Sequence, residues 1–364
     1  MQSMGITSLS SNPQLIGSLW VASSSIFTTY STTAFLKYGT SDMIGTRFFN
    51  AYGRRSNDFQ SRQFAISTGD ASAVEKVRNP SEITLLDRPK LLTLYRFGGS
   101  LLFGLIINPN VSKIFDRISS TLHSAKSFAL PAIFLFIANF CNTIALSRIG
   151  ISLTYTSKCG IPLITVFLTL LFDGRNALPS SLALLSLVPI AIGIALASWN
   201  SPTFEKVGFL AAMISSTSQA ALNVSSKRSM VATQTNSYDS LRAMAFVGFL
   251  IALSVVQIEK LITKNVNSAK MKRNAYVNNS SSQIESPPKS LALVAVLAYH
   301  AEYNLSFKFI ELVNPITYGT CDAIRRLSII IAGRRMFGGD QFSILNYLGI
   351  ALALTGALGY SISR

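Results

Sequence analysis

The sequence predicts an all-α integral membrane protein with about ten transmembrane helices, arranged as two inverted repeats of five helices each. Three observations support this fold class. Of the 364 residues, 49% are hydrophobic and only 13% are charged, which is too apolar and too poor in charge for an ordinary soluble domain. The apolar residues are concentrated in stretches long enough to cross a bilayer. The second half of the chain also repeats landmarks of the first half at a constant spacing.

Each predicted span approaches the roughly 20 residues that a helix needs to cross a hydrocarbon core of about 30 Å. The third, fifth and tenth spans contain no charged residue and are therefore the best defined. The second span is short and holds Arg96, which we expect at the membrane interface, and the eighth contains His300 and Glu302. The ten expected spans are Gln14–Leu36, Leu91–Ile107, Ser127–Leu146, Ile149–Phe172, Leu178–Trp199, Val207–Ser226, Ala243–Ile262, Leu291–Phe309, Ile316–Gly333 and Phe342–Ser363.

Two polar segments are predicted to lie outside the bilayer. Residues 37–90 mix charged residues with glycine, and residues 264–290 are rich in Asn and Ser and include Pro287-Pro288. Segments of this composition do not bury enough apolar surface to join a helical bundle. We therefore divide the chain into a first half, residues 1–200 with loop 37–90, and a second half, residues 201–364 with loop 264–290.

An internal repeat relates the two halves. An offset of 163 residues places Thr154-Tyr155 on Thr317-Tyr318, and the same offset places Gly193 on Gly356. Because each half has an odd number of spans, the second half must be inverted in the membrane relative to the first. Transporters built from inverted repeats bind their substrate near the midplane, between the halves. We interpret the two glycines as positions of close packing between helices.

Cations inside two corresponding spans indicate a binding site. Lys158 is the only charged residue of the fourth span, and Arg325-Arg326 interrupt the ninth. A cation at the middle of a bilayer costs about 2.5 to 3.5 kcal/mol even on lenient insertion scales, so it is kept where it faces a cavity, a partner or a substrate. Tyr318, Asp322 and Arg325 share one face of a helix at spacings of four and three residues. We expect these groups to converge on an anion.

Several short segments, in their order and spacing, resemble the triose-phosphate translocator family. This family is the branch of the drug/metabolite transporter superfamily that contains phosphate translocators and nucleotide-sugar carriers. The resembling segments include Ser152 to Lys158 ahead of Pro162, Asn223 to Arg228, and Pro315-Ile316-Thr317 leading to Arg325-Arg326. The resemblance implies an antiporter that exchanges a sugar phosphate, triose phosphate or similar metabolite for phosphate or another phosphate ester by alternating access. Nucleotide sugars are the alternative class of substrate.

The resemblance also implies which cations hold the substrate phosphate. The family's lysine on the fourth helix corresponds to Lys158, and its Lys-Arg pair on the ninth helix corresponds to Arg325 and Arg326. Arg325 keeps the charge of the family's lysine but can grip two phosphate oxygens at once. Tyr318 and Asp322 stand where the family carries histidine and asparagine.

Two further substrate contacts of the family have less certain counterparts in this chain, because each matches either of two neighbouring residues. The family's hydroxyl residue on the third helix corresponds to Thr143 or to its neighbour Asn142. Its tyrosine on the eighth helix corresponds to Tyr303 after a shift of one residue, or to Glu302 without a shift, where a carboxylate would oppose an anion. The expected substrate-binding residues are Lys158, Arg325, Arg326, Thr143, Tyr303, Tyr318 and Asp322.

Other classes of function have weaker support in the sequence. The net charge of +16 does not indicate nucleic-acid binding, because cations on so apolar a chain are typical of membrane-flanking loops. Three dispersed cysteines and two distant histidines give no metal-ligand spacing, and we expect no metal or cofactor. An enzyme or a scaffold is a distant alternative, since no carboxylate is suitably spaced from a histidine. The expected partners are an anionic phosphorylated solute and membrane lipid, and the oligomeric state is not predicted.

Compartment and orientation are separate questions. The first thirteen residues contain no basic residue, which argues against a transit peptide. We therefore expect the endoplasmic reticulum or Golgi, with the plastid envelope as the alternative. The family resemblance places both termini in the cytosol, whereas the Lys and Arg content of the two long loops favours the opposite orientation.

Overall fold

The structure is a computed structural model that describes residues 12–38, 81–106, 114–161, 163–164, 166–167, 170, 180–198, 204–271, 287–312, 315–337 and 343–363. Within these ranges the regular structure is helical and contains no strand. The first helix, α1, comprises Pro13–Ala22, a π-helical segment Ser23–Thr28, and Thr29–Lys37. The others are α2 Ser81–Ile106, α3 Ile114–Ala125, α4 Ala129–Ser157, α5 Ser181–Leu185, α6 Leu187–Ser198, α7 Lys206–Thr233, α8 Ser237–Met271, α9 Lys289–Leu312, α10 Pro315–Phe337 and α11 Ile344–Ser363.

Several described helices are long and apolar enough to span a membrane. By length and composition these are Ala129–Gly160, Lys206–Thr233 and Ser237–Ile258, and two shorter apolar helices cover Leu187–Ala197 and Ile344–Tyr360. Helices α2, α9 and α10 carry charged residues within their length, which lowers their hydropathy. The count of ten spans stays a prediction.

Two helices include residues that the sequence assigns to the predicted loops. Residues 81–90 of the expected loop 37–90 form the first turns of α2, and residues 264–271 of the expected loop 264–290 extend α8. Hydropathy marks where a helix leaves the bilayer, whereas backbone hydrogen bonds continue the helix into polar sequence. Residues 39–80 and 272–286 lie outside the described residues.

Gly150 divides α4 into two arms. Its backbone adopts φ 74° and ψ −179°, a conformation that is essentially restricted to glycine. The two arms correspond to the third and fourth predicted spans, which therefore meet at one glycine. Arg148, beside this break, forms an ion pair with Glu205 just before α7.

Helices α6 and α11, which close the two predicted halves, pack against each other through glycines. A methyl group added at Gly193 would lie 2.6 Å from the carbonyl oxygen of Gly349, and one at Gly356 would lie 2.9 Å from the backbone nitrogen of Ile190. No ordinary side chain fits at such distances. The interpretation of Gly193 and Gly356 as close-packing positions is confirmed.

Two large apolar clusters pack the helices together. One contains Phe97, Leu135 and Leu241 from α2, α4 and α8, and the other contains Ile190 and Leu354 from α6 and α11. Arg88 of α2 donates to the carbonyl groups at the end of α1, 3.1 Å from the Leu36 oxygen, and satisfies acceptors that the helix leaves open. These contacts position α1 and α2 beside the polar centre.

Candidate anion-binding cavity

A polar cavity opens among α1, α2, α4, α7, α9 and α10. Its empty volume, including the opening to solvent, is about 840 Å³. Hydroxyl, amide, aromatic and charged side chains line it. Most of the charged groups are those that the sequence singles out.

Lys158 lies at the end of the second arm of α4, where the helix tightens into the 3₁₀ turn Lys158–Gly160. The side chain is 9% exposed, and its Nζ lies 5.5 Å from the centroid of the Tyr155 ring, a cation–π contact. No carboxylate pairs with it among the described residues. An ammonium group buried without a counter-ion is costly, which makes Lys158 the natural position for a bound anion.

The two arginines of α10 are held by carboxylates. Arg325 donates to Asp322 Oδ1 from Nη2 at 2.7 Å and pairs with Glu302 of α9 at 3.0 Å. Its guanidinium also lies 4.9 Å from the centroid of the Trp20 ring. Arg326 pairs with the other oxygen of Asp322. The carboxylate of Glu302 therefore faces a guanidinium, and the conflict with an anion that the sequence suggested does not arise.

Arg326 also joins α10 to α4. It donates to the carbonyl oxygen of Lys158, which the tightened end of α4 leaves available. Its Nε is buried and has no hydrogen-bond partner in the described part of the chain. The contact places Arg326 next to Lys158, as the sequence predicts for the two corresponding spans.

The prediction that Arg96 lies at the membrane interface is wrong. Arg96 is 3% exposed and lines the cavity. Its guanidinium lies 5.2 Å from the centroid of the Tyr299 ring and donates to the hydroxyl of Thr32 on α1. The reason is that α2 begins at Ser81, ten residues before the predicted span, so Arg96 lies well inside the helix instead of near its start.

The cavity carries a net positive charge. Four cationic and two acidic side chains line its described part, which leaves a formal charge of +2. Two of the cations, Lys158 and Arg96, have no carboxylate partner among the described residues, whereas Arg325 and Arg326 do. The charged lining residues are Arg96, Lys158, Arg325, Arg326, Glu302 and Asp322.

The expected third-helix contact is displaced by one residue. Thr143 is fully buried and does not line the cavity, and its hydroxyl donates to the Phe140 carbonyl of the same helix at 2.8 Å. Its neighbour Asn142 does line the cavity. Adjacent residues on a helix point about 100° apart, and here Asn142 faces the cavity while Thr143 turns toward the Phe140 carbonyl of its own helix.

Tyr303 and Glu302, the two alternatives for the contact from the eighth predicted span, both line the cavity. Tyr303 lines it, and its hydroxyl accepts from Asn139 Nδ2 at 3.0 Å, while Glu302 lines it through its pair with Arg325. Tyr318 belongs to α10, but its side chain lies outside the described residues.

Comparison with known proteins decides the family. Residues 71–361 match the Triose-phosphate Transporter family. The chain belongs to this family. The match confirms the resemblance drawn from the sequence and, together with the helical structure, the prediction of an all-α protein that crosses the membrane several times.

Several individual proteins to which this chain is similar are plant phosphate translocators. The chain is 28% identical over 230 residues to the chloroplastic phosphoenolpyruvate/phosphate translocator 2 of Arabidopsis thaliana, covering 63% of this chain and 57% of that protein. It is 26% identical over 287 residues to the triose phosphate/phosphate translocator of non-green plastids of Brassica oleracea var. botrytis, covering 78% and 68%. The glucose-6-phosphate/phosphate translocator 2 of Arabidopsis thaliana is 26% identical over 254 residues, covering 70% and 62%. The chain thus spans between about half and two thirds of the length of these relatives.

One polar wall of the cavity was not predicted from the sequence. Thr28, Thr29, Thr32 and Thr33 of α1 line the cavity. They fall on one side of the helix at spacings of one and four residues, a pattern that was available in the sequence. On α7 the amides of Gln219 and Asn223, joined by a 3.3 Å hydrogen bond, also line it.

Proposed function

We propose that this triose-phosphate transporter exchanges a phosphorylated metabolite, such as a sugar phosphate or triose phosphate, for phosphate or another phosphate ester. The exchange proceeds by alternating access of one central cavity to the two sides of the membrane. The observation that carries the proposal is the buried ammonium of Lys158, which no described carboxylate pairs with, in a cavity of net positive charge.

The phosphoryl group binds at Lys158, Arg325 and Arg326 in this proposal. Ion pairs to Asp322 and Glu302 fix the two guanidinium groups before the substrate arrives, so little ordering is needed on binding. Charge-assisted hydrogen bonds to phosphate oxygens are about twice as strong as neutral ones.

Neutral polar groups contact the rest of the solute. Tyr303, Gln219 and Asn223 offer hydrogen bonds to hydroxyl or carbonyl groups. Asn142 takes the place that the sequence gave to Thr143. Tyr318 is kept as a contact on the strength of the family resemblance alone.

The charge balance explains why exchange is favoured over one-way transport. Without an anion, the net positive charge of the cavity repels itself and opposes closure around a dry interior. A phosphate ester with a charge near −2 at neutral pH cancels the formal +2 of the described cavity. The cavity then closes and reorients only with an anion bound.

The relatives favour a phosphate ester over a nucleotide sugar. The three relatives described above are named as translocators of phosphoenolpyruvate, triose phosphate or glucose 6-phosphate with phosphate. All three are plastid proteins by name, so they give no support to the expected endoplasmic reticulum or Golgi location. We propose the plastid envelope, the alternative location, as the compartment of this integral membrane protein.

Counter-exchange in liposomes tests the proposed function. Purified protein is reconstituted in liposomes that contain phosphate, glucose 6-phosphate or neither, and the uptake of external radiolabelled phosphate is followed. We expect rapid uptake only when the lumen holds phosphate or a phosphate ester. Uptake that is independent of the internal solute would contradict an exchange mechanism, and uptake of a labelled nucleotide sugar without phosphate uptake would contradict the class of substrate.

A further inference from the structure

Arg96 is a cavity cation that neither the family resemblance nor the expected phosphate site accounts for. It comes from α2, whereas the phosphate-binding cations come from α4 and α10. We propose that Arg96 and the α1 threonines form a second anion subsite, which binds a carboxylate carried by the phosphorylated solute. This inference rests on the proposed exchange function and names its preferred class of substrate, the phosphorylated carboxylic acids.

The state of the Arg96 guanidinium points to a ligand. The side chain is 3% exposed, and its charge has no carboxylate partner among the described residues. Its Nη2 is used by Thr32, but its Nε is buried with no hydrogen-bond partner in the described part of the chain. Guanidinium stays charged at any physiological pH, so the cost of burying it is offset only by an anion or by polar groups.

A second unsatisfied group lies on α1. The Thr33 hydroxyl lines the same cavity, and it is buried with no partner among the described residues. It follows the π-helical segment Ser23–Thr28, a type of helix irregularity that is frequent at functional sites. Arg96 donates to Thr32, the residue before Thr33, and a hydroxyl and a guanidinium on one cavity are suitable groups to bind a carboxylate.

Arg96 and the phosphate-site cations have different neighbours within the cavity. Arg96 is held by Thr32 of α1 and lies over the Tyr299 ring of α9, whereas Arg326 is held by Asp322 and by the Lys158 carbonyl. A phosphoryl group bound by Lys158 and Arg326 therefore leaves Arg96 without an ion-pair partner among the described residues. A carboxylate on the same solute supplies one, and the planar guanidinium can bind it through two parallel hydrogen bonds.

The test compares solutes that differ in the second anionic group. Wild-type protein in phosphate-loaded liposomes is assayed for KM with inorganic phosphate, glucose 6-phosphate and phosphoenolpyruvate, which carries a carboxylate. We expect wild type to prefer phosphoenolpyruvate to glucose 6-phosphate. In Arg96→Gln, the ratio of KM for phosphoenolpyruvate to KM for phosphate should rise about tenfold or more. Arg96→Lys should restore most of the ratio, and Thr33→Val should raise it about threefold.

Controls separate a binding role from a structural one. Arg228→Gln removes an exposed arginine of α7 outside the cavity and should leave the ratio unchanged. A structural role of Arg96 would alter the KM for every solute alike, so an unchanged ratio in Arg96→Gln and Thr33→Val would overturn the inference. A wild-type preference for glucose 6-phosphate would overturn it too. If Arg96→Gln does not fold, the ratio for Thr33→Val decides.

The failure of this inference can be told from failure of the proposed function. Wild-type protein that exchanges phosphate, but whose variants keep the wild-type ratio, would reject only the second subsite. Wild-type protein that exchanges no phosphate ester would reject both.

Discussion

Single charged residues are the clearest signals in this chain because charge inside a bilayer is costly. Lys158 and Arg326 differ in how that cost is offset. Lys158 has a cation–π contact with Tyr155 and no carboxylate partner in the described part of the chain, whereas Arg326 pairs with Asp322 and donates to the Lys158 carbonyl. The two residues should therefore respond differently to removal.

Thermal unfolding in detergent distinguishes the two. Lys158→Ala removes a buried charge without a carboxylate partner, so its Tm should equal or exceed that of wild type. Arg326→Ala breaks a buried ion pair, which typically costs about 3 to 5 kcal/mol, so its Tm should fall by several degrees. Equal losses of Tm in both variants would show that Lys158 has a structural role that its contacts do not reveal.

The sequence predicts most of the charged site but not all of it. Lys158, Arg325 and Arg326 follow from the cost of charge in a span and from the repeat. Arg96 does not, because its depth depends on where α2 begins, and that point lies in polar sequence. The role of Glu302 is ambiguous in the sequence because a shift of one residue in the family match decides whether Glu302 or Tyr303 corresponds to the family's tyrosine.

At the scale of helices, hydropathy predicts where spans exist better than where helices end. The Gly150 break illustrates the difference. The predicted third and fourth spans are only two residues apart, and one residue with positive φ is enough to redirect the chain between them. The second arm of α4 leads to Lys158, which lines the cavity.

Substitution of this glycine tests the role of the break. A side chain at φ 74° and ψ −179° is strained by about 1 to 3 kcal/mol, so Gly150→Ala should lower the free energy of unfolding by this amount. Gly359→Ala is the matched control, since its added methyl group would meet only the Ser186 Cβ at an ordinary 3.6 Å. The control should be neutral or slightly stabilising. Equal effects of the two substitutions in chemical unfolding would contradict a special backbone at Gly150.

At the scale of the whole molecule, one polar network joins helices of both predicted halves. Ser24 of α1 donates to Glu302 of α9 at 2.9 Å, Glu302 pairs with Arg325 of α10, and Arg326 reaches the Lys158 carbonyl of α4. Because α4 and α10 are assigned to different halves, rocking of one half against the other would change these contacts. In the proposed exchange mechanism, the substrate site and the moving parts would therefore be in direct contact.

The fold class and the family follow from the sequence because hydropathy and ordered motifs reflect the membrane and the site together. The compartment does not follow from the sequence in this way, because a targeting signal is recognised by receptors and does not affect the packing of the helices. The division into two inverted halves stays a prediction that rests on the offset of 163 residues.

Phosphate exchange by Lys158→Ala tests the central claim most directly, because this ammonium is the phosphate-site cation that no described carboxylate neutralises. Wild type, Lys158→Ala and the control Lys227→Ala, an exposed lysine of α7, are reconstituted at equal density in phosphate-loaded liposomes. We expect Lys227→Ala to match wild type and Lys158→Ala to lose phosphate exchange by about tenfold to a hundredfold, the value of a charged hydrogen bond. Exchange by Lys158→Ala at the wild-type rate would contradict the account.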